Sequence, residues 1–199
     1  HRSWDNTILG HIRIEGTRLV VAVNSVRRAE RIQAQIRKRL GVFAAKWSVY
    51  DGTEKSGAQE FLNDLLGCYG QSIHAGDEKG PRFEDQKDGK FRDLYWPGVC
   101  IIEMKAPKEA DKLSKHRQQA LDYWQASADL GAGIPAPPFV VLCAFRKFEI
   151  WEPGQYPNAP RLALDLIELE ERPEVLMFLA GEEPSFTGGS SASRSSYPR

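Results

Sequence analysis

At 199 residues the chain can bury one good core with a small appendage, and 41% hydrophobic and 27% charged residues are ordinary for a globular domain. Lysine plus arginine and aspartate plus glutamate number 27 each, so no global field favours a polyanion, and any nucleic-acid partner must be met by a local patch. No run approaches the roughly 18 apolar residues of a membrane span and no signal peptide opens the chain, which predicts a cytoplasmic protein without a membrane partner.

In chain order, residues 10 to 16 and 17 to 23 alternate as strands about a turn at Gly16. From Ser25 the period changes. Val26, Ala29, Ile32, Ile36 and Leu40 recur at threes and fours, predicting a helix that stops at Gly41. Residues 1–45 thus read as a small β-β-α module. A turn-rich bridge at 50–57 leads to a second helix over "AQEFLNDLLGCYG", with Phe61, Leu62, Leu65, Leu66 and Tyr69 inward. Asp88-Gly89 signals a tight hairpin between strands at 82–87 and 90–96, and Pro97-Gly98 turns the chain into "VCIIEM". A long amphipathic helix follows from Lys108 to Gly131. "PPFVVLCAF" and "KFEIWEP" form a strand pair, "RLALDLIEL" a last extended segment and "RPEVLMFLAG" a short helix. The Gly/Ser-rich stretch 181–199 reads as a linker, expected to lead to a domain outside this chain.

The chemistry sits in "GVCIIEMKAP", residues 98 to 107. An apolar strand is broken by Glu103 and Lys105, which share a face because strand residues alternate, while Met104 points to the core. Asp93, ten residues upstream across the Pro97-Gly98 turn, folds back beside Glu103. Two carboxylates forced together call for a hard divalent cation, Mg²⁺ or Mn²⁺, with an ammonium at the rim to orient water and meet charge on a phosphate. Gln119 and Tyr123, at i and i+4, share one helix face.

"FRDLYWPGVCIIEMKAP" followed by "QQALDYW" resembles the PD-(D/E)xK nuclease superfamily, with the Q-x-x-x-Y helix of RecB-like nucleases. More narrowly, residues 57 to 180 are similar to the N-terminal endonuclease domain of MmeI-like (type IIG/IIL) restriction–modification enzymes. The resemblance implies an α/β fold, a mixed sheet flanked by helices, over 46–180. It implies an Mg²⁺-dependent endonuclease acting on double-stranded DNA, with a methyltransferase or target-recognition domain elsewhere. Asp93 and Glu103, with the Met104 carbonyl, would bind the metal. Lys105 would position water, and Gln119 and Tyr123 would brace the site or touch the DNA backbone. Glu60 is either the auxiliary acid that many relatives keep or an exposed helix glutamate. Arg92 stands where the superfamily name has proline, and Ala144 where these relatives would have Asp. No methyltransferase motif is present. The other assignment is a nuclease-like fold kept for DNA binding or assembly without cleavage.

Two basic clusters are candidate DNA contacts. One is the first helix, with six basic residues to one acid over 25–40, including Arg27 and Arg31; the other is Lys108 and Lys112 beside the site. Each is also readable as a solvated helix face. His11, His74 and His116 lack ligand spacing, and Trp96 and Trp151 read as packing residues. Cys68, Cys100 and Cys143 match no zinc pattern and predict buried free thiols.

Overall fold

The computed structural model describes residues 10–15, 18–23, 26–74, 76–87, 90–128 and 135–187. Strands β1 (Gly10–Glu15) and β2 (Arg18–Val23) pair antiparallel, Gly10 opposite Val23 through to Glu15 opposite Arg18. Helix α1 (Val26–Trp47) follows and does not stop at Gly41. The apolar period that starts at Ile36 and Leu40 continues through Phe43, Ala44 and Trp47, all buried, so tertiary burial carries the helix past the glycine. α1 therefore runs across the expected 45/46 boundary and into the main core.

Helix α2 (Glu54–Cys68) begins four residues before the expected Ala58. Thr53 caps it, accepting from the Ser56 backbone N–H, while the Ser56 hydroxyl accepts from the Thr53 N–H at 3.2 Å. Gly57 sits inside this first turn because a Cβ there would lie 2.5 Å from the Tyr50 hydroxyl. The bridge at 50–57 is thus partly helix start, hidden in the sequence by its glycines.

The main sheet has six strands in sequential order: β3 (Arg82–Lys87), β4 (Lys90–Trp96), β5 (Cys100–Met104), β6 (Phe139–Cys143), β7 (Lys147–Trp151) and β8 (Leu162–Asp165). Only β5 and β6 are parallel; the other neighbours are antiparallel. The fold is α/β with a mixed sheet flanked by helices, as expected. The Asp88-Gly89 turn lies outside the described residues.

The crossover from β5 to β6 was expected to be one helix. It is a 3₁₀ run over Pro107–His116, kinked at Lys112 (φ −129°), followed by helix α3 (Arg117–Ser127). Across "KEADKLSK" only Leu113 is buried, so little apolar surface rewards a continuous α-helix there. A further 3₁₀ run over Pro173–Ala180 fills the place of the last helix, ending on Gly181 at φ 82°.

One face of the sheet packs Leu94, Cys100, Ile102, Met104, Val141 and Phe148 against α1, α2 and the terminal 3₁₀ run. The other packs Tyr95, Ile101, Val140, Leu142 and Trp151 against Leu113 and α3. The linker expected from residue 181 is bound at its start. Ser185 N–H donates to the Glu174 carbonyl at 3.0 Å, and Arg161 lies over the Phe186 ring at 5.2 Å. All three cysteines are buried free thiols, and burial pushes each thiol pKa up. Among the described residues no helix is long and apolar enough to cross a membrane.

Candidate active site

The β4–β5 register pairs Trp96 with Cys100, Tyr95 with Ile101 and Leu94 with Ile102; one further step sets Asp93 opposite Glu103. Pairing ends there because the Asp93 side chain takes over. Its Oδ2 accepts the Met104 N–H at 2.7 Å. The two strands therefore part at the point where the acids begin, with Met104 fully buried on the opposite face.

Glu103 and Lys105 share the α3 face, and Lys105 Nζ donates to Glu103 Oε1 at 2.6 Å. Both are buried, at 3% and 8% exposure, which is rare for charged side chains without a special reason. Burial raises the Glu103 pKa to about 7 against the attraction and hydrogen bond of Lys105, and the charges of Asp93 and Glu54 add to the rise. Glu103 Oε2 is buried without any hydrogen-bond partner. A buried polar oxygen left this way costs on the order of 1–3 kcal/mol, and more when the group is charged, unless something binds it.

That orphan oxygen fits a hard cation. Among the described residues no three His, Cys, Asp or Glu side chains gather as a ready cage. Two carboxylates and a main-chain oxygen are instead a sparse, all-oxygen donor set, of the kind Mg²⁺ accepts because it keeps much of its own water.

Gln119 and Tyr123 come together on α3, the amide donating to the Tyr123 hydroxyl at 2.8 Å. Tyr123 is buried and Gln119 exposed. Glu60 is placed elsewhere: it accepts from Lys46 at 2.6 Å in an exposed network with Asp64, which in turn accepts the Trp47 indole N–H at 3.0 Å. Glu54, at the first turn of α2, is the second acid after Asp93 whose charge reaches Glu103. Nothing in the sequence distinguished it, because the start of α2 was concealed. Glu149 was also missed. It lies on the site face of β7, since Phe148 and Ile150 face the other way, and the register sets it across from Leu142, which pairs with Glu103. Its pKa is raised by burial, and it accepts from the Trp151 indole at 3.3 Å. The alternation in "KFEIW" carried that signal.

Lys108 and Lys112 are both exposed on the 3₁₀ run, and Arg31 is exposed on α1. Arg27 lies in α1, its side chain outside the described residues. Ala144 is buried on the site face, its N–H donating to the Lys147 carbonyl at 3.0 Å. His116 is 3.3 Å from Glu109, and His74 2.8 Å from the Ser72 hydroxyl. A cavity of about 690 Å³ lies between α1 and α2 and is lined by none of Asp93, Glu103, Lys105, Gln119 and Tyr123.

A family model for the N-terminal domain of MmeI matches residues 28–188. No curated protein and no solved structure matches the chain.

Proposed function

The chain belongs to the MmeI N-terminal domain family, and on that footing we propose that it is a DNA endonuclease domain dependent on Mg²⁺ or Mn²⁺. Its setting is a restriction–modification or phage-defence enzyme, with methyltransferase and target-recognition functions on other domains. One observation carries this: a carboxylate and an ammonium buried together, 2.6 Å apart, beside a second carboxylate where two strands part.

Asp93, Glu103 and the Met104 carbonyl would hold the metal. Bound there, it would neutralise the acids and withdraw charge from a phosphodiester. The protein's own groups supply the rest. Lys105 has three ammonium hydrogens, of which Glu103 uses one in this structure. The others make no hydrogen bond among the described residues and can orient an attacking water and meet charge on the phosphate oxygens as the P–O bond breaks. The depth of the pair lowers the local dielectric, which strengthens both effects. Tyr123, held by Gln119, braces the α3 side. Lys108, Lys112 and the basic α1 face with Arg27 and Arg31 would approach the DNA backbone.

The test is plasmid nicking with Mg²⁺, Mn²⁺ or EDTA, any partner domain being supplied. Asp93→Ala, Glu103→Gln and Lys105→Ala should each stay folded and lose about a hundredfold or more in rate, near 3 kcal/mol of barrier. Metal should raise the melting temperature of the wild type and of Lys105→Ala, but not of the two acid variants. Cleavage that persists in EDTA, or that survives Lys105→Ala, overturns the assignment. DNA binding that never leads to cutting points to a non-cleaving module.

A further inference from the structure

The turn from β6 to β7 holds a bulky residue in a conformation that side chains avoid. Phe145 has φ 59°, the only positive φ outside glycine among the described residues. Such a conformation is strained for a side chain and persists only where its surroundings over-determine it. Here they do: its ring is fully buried, stacked on Tyr50 at 4.6 Å and edge-on to Phe61 at 5.1 Å.

The turn presents cations. Arg146 N–H donates to the Ala144 carbonyl at 2.6 Å, and the Arg146 side chain swings out to solvent, donating to the Tyr50 carbonyl at 3.0 Å. Leu166 N–H fixes the Arg146 carbonyl at 2.8 Å. Arg146 and Lys147, with Lys108, line a cavity of about 400 Å³. Asp111 and Asp165 also line it, so three cations face two carboxylates. Neither Lys108 nor Lys147 forms an ion pair among the described residues.

The cavity lies at the site end of the sheet. Lys105 N–H donates to the Cys143 carbonyl at 2.7 Å, directly before the turn. Lys108 is three residues from Lys105 and so within about 11 Å of it along the chain.

We propose that the Lys108–Arg146–Lys147 cavity is a subsite for a DNA backbone phosphate flanking the scissile one, presented by the strained Phe145 turn. It rests on the nuclease assignment above. Successive phosphates on one strand advance by about 3.4 Å of helix axis, so a strand laid across Lys105 brings its neighbours within reach of these cations. The excess of positive charge on the lining, with Lys108 outside any ion pair among the described residues and Lys147 near the Glu149 charge, gives them a reason to bind there.

The experiment measures binding of a random-sequence duplex of about 30 base pairs over a salt series. It is done with Mg²⁺ in a Lys105→Ala background, where DNA is held and not cut. Adding Arg146→Gln and Lys147→Gln should weaken binding about tenfold or more and reduce the slope of log K against log salt by about 2. Lys79→Gln, on the loop leading into β3 at the far end of the sheet, should leave the slope alone. Should the turn variants fail to fold, Lys108→Gln is the second reporter: its side chain makes no hydrogen bond or ion pair among the described residues, and it should reduce the slope by about 1. If the parent binds DNA and none of these slopes changes, the subsite is wrong and the nuclease assignment stands. If the parent does not bind DNA even with the partner domains supplied, both fall.

Discussion

The two faces of the six-stranded sheet are built on different terms. The face against α1 and α2 is apolar among the described residues and knitted by rings, Phe61 lying 4.9 Å from Phe43, 5.1 Å from Trp47, 5.1 Å from Phe145 and 6.1 Å from Phe148. The α3 face has a thinner apolar cluster and takes Glu103 and Lys105 out of water. Strand β5 places Cys100, Ile102 and Met104 on the first face and Ile101 and Glu103 on the second, and only it puts a charged pair at that second face among the described residues of the central strands. The contrast teaches that the ring-rich face supplies the stability that lets the other tolerate buried charge.

The sharpest way to break that contrast is Phe61→Ala. It leaves a cavity among four rings and should cost about 3–5 kcal/mol, seen as a large drop in denaturation midpoint. The metal-induced rise in melting temperature should survive wherever the variant is folded. A loss below 1 kcal/mol would mean that the rings do not carry the fold.

The next effect is electrostatic. Glu103 has its carboxyl pKa raised from 4.5 to about 7, so between those values the folded chain keeps a proton that the unfolded chain has released. Stability in EDTA should therefore be highest below pH 4.5 as far as this group is concerned. It should fall as pH rises to about 7 and level off above, by on the order of 3 kcal/mol. Glu103→Gln should flatten that fall in thermal melts; an unchanged pH profile would show that Glu103 is not the titrating group. The smallest effect expected is that of Gln119→Ala. Removing the donor to Tyr123 should slow cleavage about tenfold, near 1.4 kcal/mol, with little change in melting temperature. A wild-type rate would reduce the pair to packing.

Much of this was legible in the sequence because it rests on local pattern. Alternation and the Pro97-Gly98 turn were enough to set Asp93, Glu103 and Lys105 at one end of a strand pair. What escaped was set by tertiary contact. Gly41 reads as a stop until Phe43 and Trp47 are seen to be buried, and Gly57 reads as a loop residue until Tyr50 is found against it. Glu54 carries no motif and matters because of the helix end it lands on, while Glu149 was signalled only by the alternation of "KFEIW". The Phe145 turn was invisible because nothing in "CAFRKF" announces a positive φ without glycine.

The parallel pairing of β5 with β6 also has a consequence in time. Asp93, Glu103 and Lys105 belong to a local β4–β5 meander that can close early, at small loop entropy. β6 reaches β5 only after the chain from Lys105 to Pro138 has been spanned, and it is β6 that sets Leu142 beside Glu103 and clasps the Lys105 N–H. A folding chain thus assembles its acids while they are still hydrated and dries them last. Mutations that weaken the β5–β6 contact should speed unfolding rather than slow folding, and the first native property to be lost on the way out should be the burial of Glu103.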